Sequence, residues 1–286
     1  MRGKTARPRP YWHVDAKWVT SLFLVPILGA TLLTNTLAQI TAEGPAVETV
    51  SLLLGMMFSG GGLDEETDVA TFRERLQADP DGCIQPIDAI RIDVCEDEIA
   101  GLSPREARLF LFRQLAQPLY EQGADGLMAL AVDPETEQSM AQGIGPLSLF
   151  TLATHRAIQR VLGILAVVCA VLFIPLILFS YRFGRIGSPG LAIIAAACPG
   201  LSLFGFFAFV FNPPAASAAE PGMAELAGAL VTNVLPSIAR TAVPSYFYVA
   251  ALGVLLVLAA TLGTIAARMR RPPSPALEAE KALPPI

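Results

Sequence analysis

Cys83 and Cys95 stand in the most acidic part of the chain, with Asp79, Asp81, Asp93, Glu96, Asp97 and Glu98 around them. Two chemistries suit that grouping. In an oxidising compartment the thiols close a disulfide, which stabilises by restricting the unfolded chain. Carboxylates bracketing such a loop also offer the oxygens that calcium prefers. The Asp79-Pro80-Asp81-Gly82 run lacks the later ligands of an EF-hand, however. The six acids are therefore weak cation candidates beside the plainer reading of a solvated acidic surface, and no metal site is expected.

Other reactive groups are sparse. His13 and His155 are the only histidines, and no HExxH, GxSxG or Walker sequence occurs. The glycines at 60–62 precede Leu63-Asp64-Glu65-Glu66 and lack the lysine of a phosphate-cradling loop. No catalytic residue or cofactor site is expected. Cys169 and Cys198 lie inside apolar runs, where a free thiol behaves as a small apolar side chain.

The elements that must position these groups belong to a membrane protein. Hydrophobic residues make up 53% of the 286 and charged residues 16%, with a mean hydropathy of +0.53, values no ordinary soluble domain combines. Four apolar stretches are each about the length needed to cross a ~30 Å hydrocarbon core as a helix. They predict spans at residues 18–40, 157–180, 190–211 and 246–267. The expected fold is a four-transmembrane-helix bundle with a mainly α or α+β domain between the first and second spans. A cleaved signal peptide ending near Ala38 is the rival reading of the first stretch.

Basic residues set the expected orientation. Arg2, Lys4, Arg7, Arg9 and Lys17 crowd the N-terminal 1–17, Arg182 and Arg185 occupy the short turn 181–189, and Arg268, Arg270 and Arg271 follow the last span. Short cytoplasmic loops are enriched in Lys and Arg, so both termini are expected inside and residues 41–155 outside. That segment carries 20 of the 25 acidic residues against six arginines. Such a charge argues against nucleic acid or anionic lipid head groups as partners of this segment. An Ala-, Leu-, Pro- and Arg-rich composition suggests a bacterial cytoplasmic membrane. Trp12, Trp18, His155, Arg156, Arg160 and the arginines just named are read as interface anchors, with the bilayer as the first partner.

Within 41–155, an apolar stretch from Gly44 to Phe58 reads as a helix that is buried on several faces or rests on the bilayer. Another helix is expected from Asp68 through Leu76. The alternation of Ile90, Ile92 and Val94 with Arg91, Asp93 and Cys95 predicts a strand over Ile84–Val94. The clearest signal is Ser103-Pro104-Arg105-Glu106, a capping box with proline at the first helical position, ahead of a helix ending at Gly123. Its stripe of Leu109, Phe112, Leu119 and Tyr120 is expected to pack on the rest of the domain or on a partner, and is the candidate interaction surface. Pro118 should kink or shorten this helix.

Residues 212–245 read as a second outer loop carrying an amphipathic helix on Leu226, Leu230, Val234 and Ile238, and 268–286 as a disordered tail. Ala192, Ala196 and Gly200, and again Ala259, Gly263 and Ala267, recur at a spacing that permits close helix contact. The topology and cysteine pair parallel claudin-like proteins, but the tryptophan motif expected before the cysteines is missing, so no family follows. The function expected is a non-enzymatic assembly or interaction subunit acting through its outer domain. A small-solute transporter or channel is the alternative, and a membrane enzyme using ectodomain carboxylates ranks third.

Overall fold

The computed structural model describes residues 12–58, 74–80, 82–85, 90–134, 137, 145–180, 183–210 and 235–269. Four helices are long and apolar enough to cross a membrane: Asp15–Ile40, Leu152–Phe179, Gly184–Val210 and Ile238–Met269. They belong to α1 (Trp12–Ile40), α6 (Leu152–Phe179), α7 (Gly184–Gly205, continued by a π-helical turn Phe206–Val210) and α8 (Leu235–Met269). Between α1 and α6 lie α2 (Glu43–Phe58), β1 (Cys83–Ile84), β2 (Val94–Cys95), α3 (Glu96–Ile99), α4 (Pro104–Gln122), α5 (Ala124–Met128) and a 3-10 turn (Gly145–Phe150). The chain divides into two compact units, one of Met1–Ala30, Leu165–Gly200 and Tyr246–Ile286, the other of Thr31–Ile164 and Leu201–Ser245.

Several helix limits differ from expectation. The first helix starts at Trp12, not 18, because a membrane helix need not end where its apolar run does. The turn expected over 181–189 is shorter, since α7 begins at Gly184 and takes in Pro189. The last helix begins at Leu235 and includes residues assigned to the outer loop. Pro236 sits at its second residue, where a missing N–H breaks no intrahelical bond, and Arg240 is exposed, so neither interrupts it. Leu226, Leu230 and Val234 lie outside the described residues. Tyr246 is 1% exposed, whereas Tyr248 is exposed.

The 41–155 segment builds its core from α2 and α4. Ala46, Val47, Val50 and Leu54 of α2 meet Phe112, Leu115, Ala116, Leu119 and Tyr120 of α4, with Leu127 and Leu147 closing the cluster. Burying such side chains contributes roughly 1.5–3 kcal/mol each. α4 begins as its sequence dictates. Ser103 Oγ accepts from the Glu106 N–H at 3.3 Å, and the Glu106 carboxylate accepts from the Ser103 N–H at 2.9 Å. Gly123 ends the helix at φ 72°, a left-handed conformation that favours glycine. Pro118 does not shorten α4, which continues to Gln122. It stands in the closing turn, so little helix follows the bond it removes.

Residues 74–78 are helical, and their Leu76 joins Val94 and Ile99 in a second small core. The Asp68 start of that helix lies outside the described residues. The expected single strand is instead a pair: β1 and β2 run antiparallel with Cys83 opposite Cys95 and Ile84 opposite Val94. Ile90 makes a separate bridge to Ala131. The alternation itself survives, with Ile90 and Val94 buried and Arg91 and Asp93 exposed.

In the other unit, Leu24, Cys169, Leu176 and Ala192 cluster from α1, α6 and α7. α7 and α8 approach through glycine: a Cβ on Gly190 would lie 2.8 Å from the Gly253 carbonyl, and one on Gly253 would lie 2.9 Å from the Gly190 carbonyl. Gly200 lies against the Tyr246 ring, which leaves no room for a side chain there. The Ala192 and Ala196 stripe is buried as expected. Ala259 is exposed and Ala260 buried, while Gly263 lies against the Phe183 ring as the expected close contact requires, so the buried face of α8 runs through Tyr246, Gly253 and Ala260 with Gly263 beside it. A four-residue step on a 3.6-residue helix drifts around it, whereas seven residues return nearly to the same face. The opposite faces carry exposed Ile164, Val167, Val171, Leu255 and Leu262, the composition of a lipid-facing surface.

Candidate functional site

The described polar side chains gather where the end of α1 and the starts of α2, α6 and α8 are tied together. Thr41 follows α1, and its hydroxyl donates to the Leu37 carbonyl at 2.8 Å. Its oxygen also lies 3.1 Å from His155 Nδ1. With the hydroxyl proton directed to Leu37, the imidazole is the donor in that second bond. His155 Nε2 lies 2.8 Å from the Gln159 amide nitrogen, a donor, and so acts as acceptor. Thr41 and Gln159 thus occupy both ring nitrogens of His155.

A threonine beside a histidine resembles a nucleophile with its base, but the direction of these bonds is wrong for that chemistry. Activation requires the hydroxyl to donate to the imidazole. Here the hydroxyl serves a backbone carbonyl and Thr41 is 5% exposed. The arrangement fastens α1 to α6. A second fastening joins Gln39 of α1 to Ser245 of α8 at 3.0 Å. A third lies on the domain side, where the Gln117 amide donates to Glu43 at 3.2 Å and to Glu121 at 2.7 Å. Nearby, burial pushes the Tyr120 hydroxyl pKa up. Glu43 adds to the rise and Arg156 opposes it.

Two open grooves flank the exposed face of α2. One is lined by Ile40, Pro45, Glu48, Thr49, Leu52, Ile238 and Thr241, the other by Glu43, Pro45, Val47, Glu48, Arg113 and Gln117. Neither encloses a nucleophile with its base.

The residues singled out in the sequence fall as follows. Cys83 and Cys95 form a disulfide. The acids beside it are not gathered around a common point: among the described residues no group of three His, Cys, Asp or Glu side chains could hold a metal ion. Glu98 instead accepts from the Cys95 N–H at 3.2 Å, and Asp81 lies outside the described residues. The candidate interaction stripe is corrected. Phe112, Leu119 and Tyr120 are buried against α2 and Leu109 is half-buried, because the apolar face of α2 already satisfies them.

Of the anchors, Trp18 is 70% exposed, and Arg156, Arg160 and Arg268 are exposed. Arg185 donates from Nε to the Ser180 carbonyl at 3.2 Å. Trp12 is helical, while Arg182, Arg270 and Arg271 lie outside the described residues. Sequence reasoning missed the bond between Thr41 and His155, partners 114 positions apart that no local pattern connects. The available signal was one polar residue at the end of each of two apolar runs. No protein-family model matches the chain, and neither a curated protein nor a solved structure resembles it.

Proposed function

We propose that the chain is a non-enzymatic assembly or interaction subunit of a membrane, with residues 41–155 outside and both termini inside a bacterial cytoplasmic membrane. In this reading the spans hold the outer domain and the domain docks a protein partner or a second copy. The observation that carries it is the core shared by α2 and α4. A domain with its own core, a disulfide and a capped helix is more than a connection between two spans requires. Among the described residues, its Thr41, His155, Glu43 and Gln117 tie helices to one another. Acidic surface and lipid-facing spans make protein and lipid, not nucleic acid, its partners.

Photo-crosslinkers at exposed Glu48 and Arg113, used in intact membranes, test the proposal. A discrete adduct, or a dimer persisting in mild detergent, is expected. Monomer alone with no adduct at either position overturns it. Labelling of Cys83 and Cys95 by a membrane-impermeant thiol reagent only after reduction is the expected result for orientation. Labelling that requires a broken membrane reverses it.

A channel or transporter is the second reading, favoured by the π-helical turn Phe206–Val210 at the end of α7. Such turns are rare and are frequently found at functional sites. Solute flux in reconstituted liposomes, abolished by changes at Phe206 or Phe207, would replace the first reading with this one.

A further inference from the structure

Arg156 and Arg160 are exposed on one face of α6, one turn apart, and among the described residues neither makes a hydrogen bond or an ion pair. The arrangement is electrostatically unfavourable as it stands. Like charges at this spacing repel. Arg156 also stands just after the first turn of α6, the positive end of the helix, where no acidic residue offsets it. Glu43, which like Arg156 acts on Tyr120, already accepts from Gln117, and Gln159 is held by His155. Nor do the arginines follow from loop enrichment, since they stand at the opposite end of α6 from Arg185.

An anion between the two guanidinium groups relieves both penalties. What lies next along the same face decides which anion. Ile164, the next residue in the same row, is 64% exposed. Ile164 is two turns beyond Arg156, or about 12 Å along the axis. A ligand with a phosphate at one end and hydrocarbon at the other matches this sequence of surfaces. We infer that Arg156 and Arg160 hold the phosphate of an anionic phospholipid whose hydrocarbon lies along Ile164. The inference rests on α6 being a membrane span but not on which side of the membrane its first turn faces.

The test uses the full chain extracted in mild detergent, with native mass spectrometry after addition of equal phosphatidylglycerol and phosphatidylcholine. Wild type is expected to retain phosphatidylglycerol preferentially. The R156Q/R160Q variant should retain about tenfold less, which corresponds to about 1.4 kcal/mol. R156K/R160K should retain an intermediate amount, and R268Q should match wild type. Excess inorganic phosphate should not displace the lipid. Equal retention of the two lipids by wild type overturns the site without any variant, so a variant that fails to fold does not shelter it. Loss of lipid in R268Q to the same degree, or displacement by phosphate alone, overturns it too. Recovery of the chain outside the membrane fraction would instead defeat the span reading on which it rests.

Discussion

α4 and α8 bury their faces by opposite rules. α4 is polar outside, and its buried side chains are large: Phe112, Leu115, Leu119 and Tyr120. α8 is apolar outside, with Leu255 63% and Leu262 65% exposed, and its buried face includes Ala239, Ala242, Gly253 and Ala260. In water, removing apolar area drives packing, so the inner face is marked by hydrophobicity. Where the surroundings are themselves apolar that contrast vanishes, and close approach of backbones decides which face is inside. Hydrophobicity thus locates the core of one region and the surface of the other.

The comparison is broken most directly by truncating leucines. Leu119→Ala removes a fully buried side chain from the α2 and α4 core and should cost about 2–5 kcal/mol. Leu255→Ala, the same change on an exposed face, should leave the thermal midpoint in detergent nearly unchanged. Equal losses would mean that the outer face of α8 is covered by protein. The cysteines give a smaller contrast. Replacing Cys83 and Cys95 by serine should destabilise the 41–155 core by about 2–4 kcal/mol, whereas Cys198→Ser, at an exposed position, should not. Denaturant unfolding monitored by exchange of the α4 amides separates the two.

Smaller again is the effect of adding volume. Gly253→Val places branched carbons against Gly190 and Ile194 and should cost about 1–3 kcal/mol. Gly163→Val, on α6 with nothing within 4 Å, should be tolerated. Thermal aggregation in detergent reads both. If Gly163→Val proved the more damaging, the rule that small residues mark the inner face would fail here.

How much was legible follows from the same contrast. The capping box at Ser103 and Glu106, the Gly123 stop and the stripe of α4 were all readable, because caps and amphipathic periodicity are local. What the stripe packs against was not, since α2 is apolar on all sides and could serve bilayer or core. The seam of α8 was misplaced by one residue, Ala259 for Ala260, because in an alanine-rich helix a four-residue repeat and a seven-residue repeat look alike until a neighbour is present. The strand over Ile84–Val94 carried the right alternation but the wrong pairing. Pairing of β1 with β2 joins residues 10 to 12 positions apart, which alternation does not encode. At the candidate site, the exposed arginines were legible as charge, while the bond from Thr41 to His155 was not.

The smallest effect sharpens the comparison at the one place where water, not packing, sets the energy. Ser103→Ala removes the side-chain cap of α4 and should cost about 1 kcal/mol. The companion carboxylate makes the cap sensitive to pH. Hydrogen bonds from the Ser103 side chain and backbone hold the Glu106 pKa below its ordinary value of 4.5. A carboxyl whose folded pKa is depressed contributes stability that is present above the unfolded value and is lost as pH falls through the folded one. Acidification below the ordinary carboxylate range should therefore loosen the first turn of α4, seen as faster exchange of the Glu106 and Ala107 amides. In Glu106→Gln the amide still accepts a hydrogen bond but does not titrate, so this acid-dependent step should disappear. The first turn of α8 has Pro236 and no acidic residue, and should show no such step. An acid response of equal size there would mean that titration elsewhere loosens the chain as a whole.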